Sequence, residues 1–346
     1  MKRPYFFELF ALANLAVIAL FARDSLRIVG SPLGHIATFT IALGTQALAG
    51  IAVRALIALI KRDRAYFAAI RTVAWITDTL RLIVSGAIVI VAYGWLKLTV
   101  PIYHRRLFDP ELWELDRLLF LGIAPTTFLL DVFDAPSFLR AIDWAYANIF
   151  FVSAFVAFAW VFSHPERRIR VSFANGNALL WITGAWFYLL IPSLGPALRF
   201  PEVWFAHAET LRVTQTLQAL LMRNYNNVLR AWNGTAITEP IRIVFGVAAF
   251  PSLHVAFQMY VFLWTRRIWR AGQLIFGIFA FVIFLGSLIT GWHYLVDSLF
   301  GLGMAYLFYR ICFPKHADDP GTDDAGRSAG GADRAGSAGA RHAAAE

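Results

Sequence analysis

QLIFGIFAFVIFLGSLITG, residues 273–291, contains no ionisable side chain. About 20 apolar residues in a helix cross the roughly 30 Å hydrocarbon core of a bilayer. Only Trp292 and His293 separate this run from a second one, Tyr294–Phe313. The chain is therefore expected to cross a membrane, turn at once and cross back. Working outward, six further apolar runs occur at Tyr5–Ala22, Leu33–Ile60, Thr72–Thr99, Ala141–Ser163, Asn177–Leu194 and Phe250–Trp264. The last of these is short, and it is expected to begin near Arg242 or to kink at Pro251. The first follows Lys2 and Arg3, and reads as a retained helix, since no small-x-small cleavage site follows it. The fold class that results is all-α, a polytopic transmembrane bundle of about eight spans.

Composition points the same way. Of 346 residues, 59% are hydrophobic and 15% charged, with a mean hydropathy of +0.59; a soluble domain is nearer half apolar and a quarter charged. The net charge of +9 sits in short clusters between apolar runs, so it reads as membrane orientation and not as nucleic-acid binding. Lys61–Arg64 with Arg71, Arg167–Arg170, and Arg266 and Arg267 with Arg270 fall on one side together with Lys2 and Arg3. The positive-inside rule makes that side cytoplasmic. Arg23–Pro32, Val100–Arg140, Gly195–Ala249 and the Trp292-His293 turn then face outward, toward the periplasm if the host is a bacterial inner membrane. Two outward segments, Asp116–Phe133 and Ala208–Trp232, have amphipathic patterns and are expected to form helices near the interface. Residues 315–346, rich in Ala, Gly and Asp, are expected to be disordered. Three parts follow: N-terminal helices over 1–100, a second membrane domain over 101–314, and the tail. A lone cysteine, Cys312, excludes an intramolecular disulfide. No zinc-type spacing or Gly-rich nucleotide loop occurs.

Ionisable groups close to membrane spans are costly and invite a functional question. Asp78 and Arg81 can pair with each other at i, i+3, and Arg54 can snorkel. His35, His104, His164 and His207 read as structural, and His316 and His342 lie in the tail. Two clusters differ. Pro251-Ser252-Leu253-His254 opens the sixth span, and Ser287 to Asp297 joins the seventh to the eighth. Under the topology above, both reach the same face. His293 and Asp297 share a helical face if one helix holds both. A carboxylate there can fix the imidazole tautomer and leave the second nitrogen free to attack. Pro251-Ser252 can open a helix whose free N–H groups suit a phosphate, with His254 near enough to give a proton.

Pro-Ser-x-His followed by Ser-x5-His-x3-Asp resembles the second and third motifs of the type 2 phosphatidic acid phosphatase superfamily. The resemblance covers roughly Asp116 to Tyr306. It implies a six-helix catalytic core, His293 as nucleophile through a phosphohistidine, Asp297 as its partner and His254 as general acid. Ser252 and Ser287 would lie near the phosphate, and neither a metal nor another cofactor is implied. The substrate would be a lipid phosphate or phosphodiester among the membrane lipids, and the enzyme a phosphatase or phosphotransferase. Two cations of the family pattern are missing: Leu288 stands where an arginine usually follows the serine, and no Lys-x6-Arg-Pro occurs. Arg199 is the expected substitute, with Arg242 second. These departures resemble the inositol phosphorylceramide synthase branch, whose Tyr-x-x-x-Pro and Gly-Pro elements match Tyr188, Pro192, Gly195 and Pro196. The alternative reading is a catalytically silent membrane protein that transports or scaffolds lipids.

Overall fold

A computed structural model describes residues 4–313; the tail and its two histidines lie outside them. Among the described residues every regular element is helical. The main helices are α1 (Phe6–Phe21), α2 (Pro32–Lys61), α3 (Val73–Tyr103), α4 (Asp109–Leu119), α5 (Pro125–Val132), α6 (Pro136–Phe162), α7 (Arg167–Leu190), α8 (Arg212–Trp232), α9 (Leu253–Ile268), α10 (Arg270–Ile289) and α11 (Leu295–Cys312). Each of the eight apolar runs appears as a helix. Among the described residues five helices are long and apolar enough to cross a membrane alone, and a sixth if α1 and the turn after it, bent by 82°, count as one. The expected count of about eight is thus approximate: α9 has only 16 residues, and α7 opens on the basic run Arg167–Arg170.

α3 is the axis of the bundle. In its apolar window 78% of residues are buried within the protein, against 22% for α2. α7 and α1 pack along α3, α9 packs against α10 and α11, and α2 lies on α3 and α6. α2 therefore presents most of its surface to the surroundings, as a lipid-facing helix does. Trp95, Leu96 and Leu98 are nearly or fully buried on α3. The boundary drawn near residue 100 falls inside this helix.

Two local expectations need correction. Asp116–Phe133 is not one helix. Leu121 (φ +55°) and Gly122 (φ +89°) turn the chain left-handed, and Pro125 starts α5 afresh, its fixed φ suited to a first turn. The sixth span begins neither near Arg242 nor with a kink at Pro251. Residues 246–249 run without regular structure, and α9 starts at Leu253 with the Ser252 hydroxyl accepting from Val255 N at 3.4 Å. Proline disfavours a helical residue before it, and the Asn224 side chain holds the segment by bonding Arg242 O, Phe245 O and Arg242 N. The amphipathic helix is present as α8, starting at Arg212. Its first amides, Val213 N and Thr214 N, donate to the Asp143 carboxylate of α6 at 2.8 and 2.9 Å, which satisfies two otherwise orphaned donors.

Candidate active site

The turn between α10 and α11 sets His293. Trp292 N and His293 N both donate to Ser287 O, at 3.0 and 3.1 Å, so the chain doubles back within one turn. Gly291 sits at φ +71°, and a Cβ there would lie 2.5 Å from both Ala197 and Trp204; only glycine fits both the angle and the space. The α9 start is tied to the same place, because Ser252 N donates to Asp297 O at 3.1 Å. The two motif segments therefore meet, with the His254 and His293 ring centroids 6.0 Å apart.

His293 Nδ1 lies 3.0 Å from Ala249 O. A carbonyl can only accept, so Nδ1 carries the proton and Nε2 keeps its lone pair. Asp297 Oδ2 is further off, at 3.5 Å, and accepts from Tyr294 N at 3.0 Å. The expected carboxylate is thus beside the ring, while the shorter bond that fixes the tautomer comes from a backbone carbonyl. Asp297 Oδ1 is buried with no hydrogen-bond partner. Burial first, and the Lys97 ammonium second, push the His293 pKa down to about 3, which keeps the imidazole neutral and nucleophilic at neutral pH.

Both histidines line a cavity of about 260 Å³ whose walls are mostly aromatic, with Phe150, Trp181 and Tyr188 among them. His254 stands edge-on to Phe150, ring centroids 4.3 Å apart. One cation lines this cavity among the described residues: Lys97, from the C-terminal part of α3. It is 9% exposed, its Nζ lies 3.3 Å from Tyr93 Oη, and it sits 5.2 Å from the Tyr188 ring centre. The chain passes close beside it at Gly246, where a Cβ would come within 2.8 Å of the Lys97 carbonyl carbon. That contact fixes the lysine backbone against the 244–248 segment, which also lines the cavity.

α4 braces the site from outside. Asp109, fully buried, accepts from Leu194 N, Gly195 N and Tyr294 Oη at 2.9–3.1 Å. Asp116 accepts from Leu295 N and Val296 N at 2.6 and 2.8 Å, capping α11. Burial raises the Asp109 pKa against these hydrogen bonds and raises that of Asp116 to about 6. An ionised carboxylate without a cation still costs free energy even when its oxygens are bonded.

The structure brings together His254, His293 and Asp297. It does not bring Arg199 to them: that side chain is exposed, stacks 5.6 Å from the Phe200 ring centre, and does not line the cavity. Arg242 is likewise exposed, near Phe245. Ser252 and Ser287 are buried and spend their hydroxyls on the helices, as the α9 cap and on Phe284 O at 2.8 Å, so neither lines the cavity. Sequence reasoning missed Lys97. Its signal was present, a single lysine inside the apolar run Thr72–Thr99, which is an expensive placement without a purpose.

A family model described as the PAP2 superfamily matches residues 110–311. No curated protein and no solved structure matches the chain.

Proposed function

The chain belongs to the PAP2 superfamily, and from that premise we propose that it is an integral membrane phosphoryl-transfer enzyme working through a phosphohistidine on His293. The observation that carries this reading is one cavity lined by His254, His293 and Lys97. His293 Nε2, its partner nitrogen occupied by Ala249 O, attacks the phosphorus of a lipid phosphate or phosphodiester. The N–P bond forms as the bond to the leaving oxygen breaks, and His254 gives that oxygen its proton. Lys97 stabilises the charge on the non-bridging oxygens, in place of the arginines absent from the family pattern. In the second half, water or an alcohol gives its proton to His254 and displaces His293. The positive-inside rule would put Arg167–Arg170 in the cytoplasm and the histidine cavity toward the opposite face, so that a bacterial inner-membrane protein would react at its periplasmic face. The silent-scaffold alternative draws its support from the missing cations, and the catalytic reading is supported against it by Lys97 in the cavity lining. The inositol phosphorylceramide synthase-like branch rests on Tyr188, Pro192, Gly195 and Pro196, and would make the acceptor a lipid or sugar hydroxyl.

The test is product release from dioleoyl phosphatidic acid and from a phosphodiester lipid, with glycerol present as an alcohol acceptor, by wild-type protein and His293→Ala. Release by the wild type alone, with an acid-labile, base-stable phosphoprotein trapped on rapid quenching, supports the mechanism. Equal turnover by His293→Ala rules it out.

A further inference from the structure

α4 and α5 meet at an apolar tip. Leu118, Leu119, Leu121 and Ile123 are 77%, 53%, 96% and 50% exposed, four large apolar side chains within six positions. A patch of this kind marks a surface that meets something other than water. The tip is a built turn and not a frayed end. Gly122 N donates to Arg117 O at 2.6 Å, Ile123 N to Phe120 O at 3.1 Å and Arg117 Nε to Gly122 O at 3.2 Å. Phe120 packs on Phe128 of α5, ring centroids 5.4 Å apart. Leu121 is held at φ +55°, a conformation that costs a bulky residue free energy, and the result is a leucine aimed away from the protein.

What covers the tip follows from its depth. α5 packs against α10, and Leu129 and Leu130 of α5 share one apolar cluster with Val282, Leu285 and Ile289 of α10. Val282 lies about 10 Å back from the end of that helix, at 1.5 Å per residue. The apolar window of α10, Gly272–Ile289, is about 27 Å long by the same measure, and the hydrocarbon core it must cross is roughly 30 Å. α5 therefore sits beside the membrane-crossing part of α10 and not above it. Further along α10, Leu274, Ile278 and Phe281 are exposed on one face, as lipid-facing residues are. Exposed Phe128 and Val132 on α5 extend that apolar exposure to the level of Val282–Ile289. The same short α4 that ends in the tip also carries Asp116, within one turn of Leu118, and Asp116 caps α11 through Leu295 N and Val296 N.

We infer that the α4–α5 tip is seated in the bilayer leaflet at the His293 end of α10, and that this seat holds Asp116 on the first amides of α11. The partner is the lipid surface itself, met through Leu118, Leu119, Leu121 and Ile123. The turn, and not a helix lying flat, is the part that inserts. The inference rests on α10 crossing the membrane and not on the chemistry of the histidines, so both of its readouts need no turnover.

The chain has one cysteine, so a nitroxide can be placed at will in full-length Cys312→Ser protein, here in phosphatidylcholine nanodiscs. The label goes on Leu121→Cys, with Leu118→Cys as a second site should the first disturb the turn. Leu274→Cys on α10 serves as the lipid-facing reference and exposed Ala236→Cys as the water-facing one. Oxygen, which concentrates in hydrocarbon, should relax the tip label as strongly as it does Leu274→Cys, and a water-soluble nickel chelate should act on it severalfold less than on Ala236→Cys. A tip label as open to nickel as Ala236→Cys overturns the seat. A label shielded from both reagents overturns it too, since protein would then cover the tip. The second readout is amide hydrogen exchange over residues 294–300 in the same nanodiscs. Leu118→Gln combined with Leu121→Gln should speed it about fivefold, the scale of one lost helix cap, toward the rate set by Asp116→Ala. Wild-type exchange in the double variant beside a faster rate in Asp116→Ala would overturn the hold on α11.

Discussion

α3 carries a buried charge near each end, and the two are treated differently. Near its start, Asp78 is 2% exposed and closely matched: Tyr5 Oη donates to it at 2.7 Å, Arg167 Nε lies at 3.1 Å and Arg81 at 4.0 Å. Arg81 in turn bonds Glu8, and Arg170 reaches Thr79 at 2.6 Å. This network ties α1, α3 and α7 together. The expected Asp78–Arg81 pair is there, as one contact among several. Near the other end, Lys97 has a phenol at 3.3 Å and two aromatic faces, and it looks onto a cavity shared with two histidines. A buried charge matched by opposite charges is an element of architecture, since its desolvation is offset on the spot. A buried cation facing open space next to titratable groups is arranged for an anion that comes and goes.

The contrast can be broken most directly at Lys97. Lys97→Met keeps the length of the stem and removes the charge. We expect kcat to fall about a hundredfold, the usual scale for losing one stabiliser of transition-state charge, while the melting temperature in detergent stays level or rises. Near-normal turnover would mean that Lys97 is only a packed stem. Asp78→Ala should do the reverse. Removing one member of a buried ionic network leaves the others uncompensated, at roughly 3 kcal/mol, so the melting temperature should drop by several degrees. Turnover per folded molecule should stay within about twofold. A large selective loss of kcat in Asp78→Ala would erase the distinction between the two ends.

The α4 carboxylates are a third case, buried groups held by backbone amides and, at Asp109, the Tyr294 hydroxyl, with no cation. The Asp116 pKa is raised from 3.8 to about 6. The folded state then holds the proton more tightly than the unfolded chain. This group's contribution is present in full below about pH 4, fades as pH rises through about 6 and is absent above it. The melting temperature should therefore rise between pH 7.5 and pH 5, with Asp116 supplying on the order of 2 kcal/mol. Asp109, raised in the same direction, adds to the slope. Asp116→Asn keeps an acceptor for the α11 amides but cannot titrate, so it should flatten the profile. An unchanged slope would show that the carboxylate is ionised in the fold despite its burial.

What the sequence could disclose follows the range of the interactions involved. Apolar runs and the spacings within 251–254 and 287–297 are local, and the helices and the meeting of His254, His293 and Asp297 were legible from them. Which carbonyl would fix the His293 tautomer was not, since Ala249 is 44 positions away. Asp116 stood in a segment already singled out, but its hold on Leu295 N and Val296 N spans 179 and 180 positions. Lys97 is the sharpest case. Helical periodicity places it on α3, yet nothing in an almost wholly apolar helix says which face turns toward the cavity that holds the histidines. The break between α4 and α5 was readable in Gly122 and Pro125, and the alternation of charged and apolar residues around them hid it.

Arg199 closes the comparison from the other side, as a cation the sequence favoured and the fold turns outward. Its backbone is fixed firmly enough: Arg199 N donates to Gly195 O at 3.0 Å, and Ala197 N to Gly291 O at 2.9 Å. The short helix it ends, Pro196–Arg199, is therefore fixed beside the turn that carries His293, and the arginine backbone is near the site in space. Its guanidinium nevertheless rests on Phe200. An exposed cation on an aromatic ring contributes about 0.5–1 kcal/mol at most. Arg199→Ala should leave kcat within twofold and raise KM for an anionic lipid by a small, salt-sensitive factor, because an exposed charge is screened beyond about 10 Å at 0.1 M salt. A hundredfold fall in kcat, equal to that expected for Lys97→Met, would mean that the guanidinium swings into the cavity when substrate binds. The phosphate would then be held by two cations instead of one.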